Sequence, residues 1–396
     1  MSAVHFHPMH PEFVADPYPT YHLLRTEDPV HQHPLGFWVL TRYEDVVSVL
    51  RDARFVKEPI AAVVASRMGG ATPPVPLSML ERDPPHHTRL RGLVSKAFTP
   101  RVVEALRPDI QQIVDGLLDR VAGTHTMDLV EDFAYPLPVV VICQLLGVPV
   151  EDRERFKTWG VDIARGLDAI LLPPDSEVVQ RSGAARRAMI EYFRELIAQR
   201  RSSPRDDLLS GLIAAEEVGD KLTEQELLAS CILLLVAGHE TTVNLIGNGT
   251  LALLRHPAEL RRLRENPELI GSAVEELLRY DGPVQRTARV ASEDVVIGGR
   301  TIAKDDLVLP FMGAADRDPA QFPDPDRLNI ARADNRHIAF GLGIHFCLGA
   351  PLARVEGQIA IGTLLRRLPK LALATERPEY RQSLTLRGLA GLPVAF

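Results

Sequence analysis

The sequence lacks the features that mark secreted and membrane proteins. Only three of its 396 residues are cysteines, which gives no basis for a disulfide framework and fits a reducing compartment. The N-terminus has no basic region followed by an apolar run, and no uninterrupted apolar stretch approaches the roughly 18 residues that span a bilayer. We therefore expect a cytoplasmic protein that has no membrane segment.

Charge and motif content exclude further classes. The net charge is −7 and the pI is near 6.0, so a general attraction to nucleic acid is not expected. No strand is followed by the Gly-x-Gly-x-x-Gly pattern of a dinucleotide-binding or flavin domain. Hydrophobic residues make up 45% of the chain and no internal repeat is visible, as in an ordinary globular protein. We expect one domain over residues 1–396, and a monomer.

What the sequence does have is one cysteine in an unusual setting. Residues 340–354 read Phe-Gly-Leu-Gly-Ile-His-Phe-Cys-Leu-Gly-Ala-Pro-Leu-Ala-Arg, with glycines at 341, 343 and 349 around Cys347. Glycines permit positive φ and leave the backbone bare, so the loop can curl around the sulfur and admit a flat cofactor. An apolar stripe and a proline after Gly349 predict a helix. Taken alone, the residues leave open a buried cysteine with a purely structural role.

A long helix is predicted from Thr223, where Glu226 completes a capping box, to about Arg255. Residues 227–237 are apolar almost all round, which predicts burial on every face. The polar run Ala-Gly-His-Glu-Thr-Thr at 237–242 then needs partners, because buried polar groups are costly. Glycine beside threonines favours a local opening of the helix, so we expect a cleft that holds water or a small ligand.

This stretch has two other interpretations. His239 and Glu240 begin a zinc-protease pattern, but Val243 stands where the second histidine belongs. A polar kink with only a structural role remains open on these residues alone.

Shorter patterns complete the chain. His87 and Arg91 share a helix face, either as a clamp on an anion or as a solvated basic face. Glycines 298 and 299 between apolar runs predict a hairpin, and Thr41 is expected to cap a helix. Prolines and glycines make residues 56–85 irregular, and a helical pattern within residues 160–190 is broken at residues 173–174. Both segments are predicted to be mobile lids.

In combination these motifs resemble the cytochrome P450 family. The pattern Phe-Gly-x-Gly-x-His-x-Cys-x-Gly resembles its haem-binding loop, and Ala-Gly-His-Glu-Thr resembles its oxygen-binding segment. The His-x-x-x-Arg and Glu-x-x-Arg motifs occur in the family's order, and the resemblance covers nearly the whole chain. It implies a soluble bacterial-type member, mainly α with small β-sheets, in which the long central helix lies over the haem.

The resemblance also implies roles for individual residues. Cys347, in the loop 340–349 with Phe340, Gly341 and Gly349, would ligate the iron of haem b, and such a thiolate favours O–O cleavage. Glu240 and Thr241 would deliver protons during activation of O2. The residues that would hold the haem propionates are His87, Arg91, Arg289 and His345. Those that would form buried ion pairs are Glu276, Arg279 and Arg327. Candidate residues of the substrate pocket are Leu233, Val236, Ala237, Val284, Gln285, Ala288 and Leu386.

The implied function is a haem-thiolate monooxygenase that inserts one oxygen atom from O2 into an apolar or amphipathic small molecule. The product would be a hydroxyl or an epoxide, and tailoring of a secondary metabolite is one setting for it. Electrons would come from a separate ferredoxin or flavodoxin with its reductase, docked at Arg91 and Arg354. The alternatives are a peroxide-driven peroxygenase, which would not need the pair Glu240 and Thr241, a non-catalytic haem ligand sensor, and a haem-free protein.

Overall fold

The computed structural model describes residues 4, 6–67, 77–173, 175–217 and 222–396, and these residues are mainly helical with small sheets. The α-helices are α1 Pro11–Ala15, α2 Tyr18–Glu27, α3 Tyr43–Arg51, α4 Pro59–Arg67, α5 His86–Ser95, α6 Pro100–Ala105, α7 Arg107–Val121, α8 Pro136–Leu146, α9 Arg153–Arg165, α10 Glu177–Ser202, α11 Leu208–Glu217, α12 Glu224–Arg255, α13 Pro257–Glu265, α14 Ile270–Asp281, α15 Met312–Ala315 and α16 Ala350–Arg367. The strands are β1 Val30–His33, β2 Phe37–Leu40, β3 Phe55–Val56, β4 Thr126–Asp128, β5 Arg289–Ala291, β6 Val295–Ile297, β7 Arg300–Ile302, β8 Leu307–Pro310, β9 Ala372–Leu373 and β10 Pro393–Ala395.

By their internal contacts the described residues group into two compact units. The first contains the described parts of residues 1–56, 111–134 and 241–396, and the second contains those of residues 57–110 and 135–240. The division falls inside α12, whose first half belongs to the second unit and whose second half belongs to the first.

The first unit carries the sheets. Five strands follow the order β1-β2-β8-β5-β3, with β2 and β8 parallel and every other neighbouring pair antiparallel. All four residues of β2 and all four of β8 are buried, as expected for the centre of a sheet that packs on a core. Strands β6 and β7 form the predicted hairpin, and Gly298 and Gly299 adopt positive φ angles of 55° and 79° at its turn.

Glu276 is the centre of a buried ion network in the first unit. Its side chain and that of Arg279 are both 0% exposed, and the Arg279 guanidinium donates two hydrogen bonds of 2.8 and 2.9 Å to the carboxylate. A second guanidinium reaches the same carboxylate, with Nε of Arg332 3.1 Å from Oε2. The prediction that Arg327 is the second cation is therefore wrong. Its side chain is exposed, and only its carbonyl oxygen joins the network, where it accepts from Arg279 and Arg332.

The second unit is helical. Helix α10 packs along α9, and α11 packs against α5, α8 and α10. At the end of α8 the chain turns through Gly147, which has a φ of 67°, and the space that a Cβ would need there holds the Asp207 carboxylate. That carboxylate pairs with Arg200 at 2.8 Å, and both side chains are about 5% exposed or less, so the ion pair joins α10 to the residues before α11 inside the unit.

Helix α12 begins with the predicted capping box. The Thr223 N–H donates to Oε2 of Glu226 at 2.9 Å, and the Glu226 N–H donates to Oγ1 of Thr223 at 3.2 Å. The helix is 32 residues long, or about 48 Å. It runs unbroken through residues 237–242, so the predicted local opening is wrong. A single glycine flanked by well-buried turns is tolerated within a long helix.

Two stretches of the described residues are long and apolar enough to cross a bilayer. They are Leu129–Leu146 and Glu224–Arg255, with mean hydropathies of 1.6 and 1.4 in their most apolar windows. In each window 72% of the residues are buried inside the protein, which is the behaviour of core helices. Both helices pass this test by length and composition alone, although neither is an uninterrupted apolar run.

The predicted lids are more regular than expected. The segment 56–85 contains the helix α4, and its residues 68–76 lie outside the described residues. The segment 160–190 has the predicted helix–loop–helix form, in which α9 ends at Arg165 and α10 begins at Glu177, while residue 174 is not described. Asp162 of α9 and Arg181 of α10 form an ion pair of 3.0 Å between the two helices. Lid motion remains a prediction.

We predict that Arg332→Ala destabilises the protein by about 2–4 kcal/mol, because it leaves the buried Glu276 carboxylate with one guanidinium fewer. Arg327→Ala is the matched control and should cost less than about 0.5 kcal/mol, since only its main-chain carbonyl takes part. The measurement is the urea midpoint of both variants beside the parent protein. Equal destabilisation by the two substitutions would contradict the network described here.

Candidate functional site

The loop of residues 340–349 holds Cys347 just before a helix. Gly341 and Gly343 have φ angles of 70° and 71°, and a Cβ on Gly343 would lie 2.4 Å from the carbonyl oxygen of Leu50. The loop closes through a hydrogen bond of 2.9 Å from the Cys347 N–H to the Phe340 carbonyl. The curled backbone predicted from the glycines is confirmed, and at Gly343 no other residue fits without a shift of the main chain.

The environment of Cys347 differs from that of the other two cysteines. Burial raises the pKa of the Cys143 and Cys231 thiols to about 12, which keeps both protonated. Cys347 is only partly buried and stands three residues before Ala350, where the 18-residue helix α16 begins. The N-terminus of a helix favours negative charge and lowers the pKa of nearby thiols. Of the three cysteines, Cys347 is therefore the one suited to act as a thiolate.

The surface around the sulfur fits an apolar, flat group such as haem. Every residue from 341 to 349 keeps some accessible surface. Ile344 and Phe346 are 52% and 38% exposed, which is unusual for large apolar side chains in one loop. Gly349 has no side chain, and a Cβ built on it would lie 4.0 Å from Sγ of Cys347, so the backbone beside the sulfur is bare. A cysteine suited to act as a thiolate, a bare backbone and exposed apolar side chains together match what a haem iron and its ring require.

The first unit also supplies two of the predicted propionate ligands. Arg289 opens β5 and is 3% exposed, and its Nη1 donates to the Ala288 carbonyl at 2.8 Å and to Oγ1 of Thr287 at 3.3 Å. These bonds to its own segment hold the guanidinium in one orientation. His345 lies in the same loop as Cys347, two residues before it, and is partly buried.

An ion triad that sequence reasoning missed supports the base of this loop. The carboxylate of Glu275 on α14 accepts from Arg354 at 2.7 and 2.8 Å and lies 3.0 Å from Nε2 of His337. Burial alone would raise the pKa of Glu275, but the hydrogen bonds from His337 and Arg354 outweigh it and lower that pKa to about 2. The Arg354 guanidinium also lies 4.6 Å from the centre of the Phe340 ring. The Arg354 side chain is 32% exposed, and its guanidinium is already paired with Glu275.

In the second unit, His87 and Arg91 share a face of α5 as predicted. His87 is 3% exposed, and its pKa is lowered first by burial and then by the positive charge of Arg91. With the His87 imidazole neutral, the pair offers a carboxylate one positive charge, that of Arg91. A carboxylate that binds there would favour protonation of the imidazole. The pair is chemically suited to the predicted propionate contact.

Helix α12 has one accessible face. Between Leu228 and Leu253 the residues that keep accessible surface are Leu233, Val236, Ala237, Gly238 and Thr241. At 100° per residue, all but Gly238 fall within about 140° of the helix surface. Glu240 lies on the same face by helical position, yet its side chain is only 6% exposed, because the carboxylate turns toward His239. The helix thus presents small and apolar side chains on the face that carries Thr241.

The remaining pocket predictions have different outcomes. Val284 and Leu386 are brought together as an antiparallel bridge pair, which puts the C-terminal segment beside the segment before β5. Ala288 is partly accessible. The assignment of Gln285 to the pocket is wrong: its side chain is buried, accepts from the Tyr21 hydroxyl at 3.0 Å and donates to the Gly282 carbonyl at 2.8 Å. Both ends of the amide serve structural contacts with α2 and the end of α14.

Within the described residues, no group of three or more His, Cys, Asp and Glu side chains forms a metal site, so the zinc-protease alternative has no support there.

Comparisons with known proteins identify the family. The model of the cytochrome P450 family matches residues 30–385. The polyketide biosynthesis cytochrome P450 PksS of Bacillus subtilis is 43% identical, and the alignment covers 100% of both chains. The structure of the myxobacterial cytochrome P450 CYP267B1 in complex with myristic acid has a TM-score of 0.91 at 46% identity and 98% coverage of both chains.

A second solved structure broadens the comparison. It is that of P450BioI in complex with an acyl carrier protein ligated to hexadec-9Z-enoic acid, with a TM-score of 0.88, 44% identity, and coverage of 97% of this chain and 99% of that one. Members of this family are haem proteins with a cysteine thiolate ligand, and the relatives are monooxygenases. The predicted fold class is confirmed, and the chain belongs to the cytochrome P450 family as a bacterial-type monooxygenase.

Proposed function

We propose that this chain is a haem-thiolate monooxygenase in which Cys347 supplies the thiolate to the iron of haem b. The observation that carries the proposal is the position of Cys347, partly accessible before the N-terminus of α16, while Cys143 and Cys231 are buried with raised pKa values. When bound, the haem supplies the activation of O2 and the insertion of one oxygen atom. The protein supplies the thiolate, the charges and the shape around it.

The residues of the chain divide this work by their chemistry. The helix N-terminus stabilises the negative charge on the Cys347 sulfur. His87, Arg91, Arg289 and His345 offer the donors that two buried propionates would need. Glu240 holds a proton and passes it to the Thr241 hydroxyl, which donates its own proton in turn. This transfer is general acid chemistry at the accessible face of α12.

The substrate we propose is an apolar or amphipathic small molecule with a long hydrocarbon body. Leu233, Val236 and Ala237 on the accessible face of α12 offer apolar contact and no charge. The related structures hold myristic acid and a carrier-bound hexadecenoic acid, and a 43% identical relative acts in polyketide biosynthesis. These similarities support oxidation of an acyl or polyketide-like chain, as a hydroxylation or epoxidation in secondary metabolism.

We further propose a single cytoplasmic domain with two lids, reduced by a ferredoxin or flavodoxin with its own reductase. The 396 residues contain no Gly-x-Gly-x-x-Gly motif of a flavin or dinucleotide domain after a strand. Arg91 and Arg354 would contribute to a basic docking surface for an acidic partner. The ion pair with Glu275 reduces the net charge that Arg354 offers, so its share in the docking should be modest.

The haem ligand can be tested by spectroscopy. Cys347→Ser should abolish the strongly red-shifted Soret band of the reduced carbon monoxide complex, because the thiolate is lost. Cys143→Ala, at a buried cysteine of α8, should retain that band. A red-shifted band in Cys347→Ser would overturn the assignment. Turnover driven by peroxide but not by O2 and a redox partner would instead favour the peroxygenase alternative.

The substrate class can be tested on α12. Ala237→Phe fills space on the accessible face and should weaken binding of myristic acid by about tenfold or more, a change of about 1.4 kcal/mol. The same substitution at the exposed Ala122, which follows α7, serves as the control and should leave binding unchanged. The readout is an optical titration of the spin-state shift, with the carbon monoxide spectrum confirming an intact haem site. Unchanged affinity in Ala237→Phe would remove this face from the pocket.

The docking surface can be tested by charge removal. Arg354→Gln should slow reduction by a bacterial ferredoxin about two- to threefold at low salt, and the difference should vanish at high salt because screening weakens attraction between surface charges. Arg377→Gln makes the same change of charge at an exposed arginine elsewhere and is the control. Stopped-flow reduction under carbon monoxide measures the rate. Equal rates for both variants at low salt would exclude Arg354 from the dock.

A further inference from the structure

His239 is held in one tautomer inside the second unit. The side chain is 1% exposed, and its Nδ1 lies 2.7 Å from the carbonyl oxygen of Leu235, one turn earlier on α12. A carbonyl oxygen can only accept a hydrogen bond, so Nδ1 carries a proton. The other nitrogen, Nε2, is then the position at which the ring gains and loses its second proton.

That second nitrogen faces Glu240. Nε2 lies 3.9 Å from Oε2 of Glu240, although successive residues on a helix normally point about 100° apart. Both side chains are almost fully buried, at 1% and 6% exposure. The distance exceeds a hydrogen bond, but a small change in the Glu240 side-chain torsions would close it.

The ring is fixed by its neighbours on other elements. A Cβ on Gly160 of α9 would lie 2.4 Å from Cε1 and 2.6 Å from Nε2, so the glycine provides the space that the imidazole occupies. Tyr135, which precedes α8, packs edge-to-face on the ring at 6.0 Å. Lys157 of α9 lies 4.7 Å from the centre of the Tyr135 ring. The ionisable groups near His239 include Glu240, Tyr135 and, beyond the tyrosine, Lys157.

We propose that His239 is a positioning residue that holds the Glu240 carboxylate and sets its protonation. In the transfer step the N–H bond at Nε2 of the imidazolium breaks and an O–H bond forms at Oε2 of Glu240. The ring becomes neutral with Nδ1 still protonated, and Nε2 regains a proton from solvent. No electrons move. This inference rests on the proposed function, in which Glu240 passes the proton onward.

The first test is a titration that does not depend on turnover. In the histidine-labelled holoprotein, as its diamagnetic carbon monoxide complex, NMR follows the titration of His239. Glu240→Gln should shift the midpoint downward by about one pH unit, because a nearby carboxylate stabilises the imidazolium. A midpoint that does not move would overturn the coupling between the two side chains.

The second test separates proton supply from structure. His239→Gln keeps a polar side chain that can still donate to the Leu235 carbonyl but has no group that titrates. We expect product formation to fall about fivefold or more near neutral pH, its pH profile to flatten, and the share of reducing equivalents lost as peroxide to rise. Gly160→Ala keeps the histidine but crowds its ring, and should change the same quantities in the same direction to a smaller extent.

The two proposals fail differently. If the parent protein lacks the red-shifted carbon monoxide band, the proposed function fails before His239 is considered. If that band and the thermal midpoint are retained in His239→Gln and the pH profile matches that of the parent protein, the monooxygenase stands and the role of His239 is refuted.

Discussion

Burial of the Glu276 carboxylate is the constraint on which the first unit depends. A carboxylate without water needs cations and N–H donors around it, and here all but one of the donating residues come from one stretch of chain. Arg332, the Asn329 N–H and the Asn335 amide all converge on it from the segment before the cysteine loop, while Arg279 approaches from α14 itself. Satisfying one buried charge therefore fixes the path of the chain toward Cys347.

The same segment is fixed again close to the loop. The Ile338 N–H donates to Oδ1 of Asp316 at 2.8 Å, two residues before Phe340. Burial raises the pKa of Asp316 to about 7, against the opposing charges of His337, Arg279 and Arg317, so this carboxyl is poised between two protonation states. The Glu275 triad then holds His337 and Arg354 on either side of the loop. Three carboxyls thus position a loop that itself has little regular structure.

Close helix packing completes the support behind the cysteine. A Cβ on Gly357 of α16 would lie 3.0 Å from Leu245 of α12, and a Cβ on Gly249 of α12 would lie 3.0 Å from Leu277 of α14. Glycine at these contacts lets the helices of the first unit approach closely. Glu356 is buried in the same region, where desolvation raises its pKa to about 8, so at neutral pH it adds little charge to this packing.

The features predicted well from the sequence are those encoded within a few residues. The capping box at Thr223, the glycine hairpin, the pairing of Glu276 with Arg279 and the curled cysteine loop all depend on near neighbours. Partners distant in sequence were predicted less well. The second cation of the network is Arg332 and not Arg327, and Gln285 turns to Tyr21.

The start of α3 shows the physical reason for such errors. Thr41 bonds to the Pro29 carbonyl, and the first turn of α3 is capped instead by Asp318, whose carboxylate accepts from the Tyr43 N–H. Several side chains could serve equally well as hydrogen-bond partners for the Thr41 hydroxyl and the Tyr43 N–H. Only the fold decides which one is close enough.

The continuity of α12 bears on the proton delivery that we propose. An opened helix would admit water at residues 237–242 and expose main-chain groups to carry a proton, but the helix is unbroken there. Accessibility at Ala237 and Thr241 then reflects the small side chains of this face and not a gap in the backbone. Glu240 is drawn off that face toward His239. In the proposed function, a proton that reaches Thr241 from the buried side of α12 would have to pass through side chains, and the proposed pair of His239 and Glu240 would supply that route.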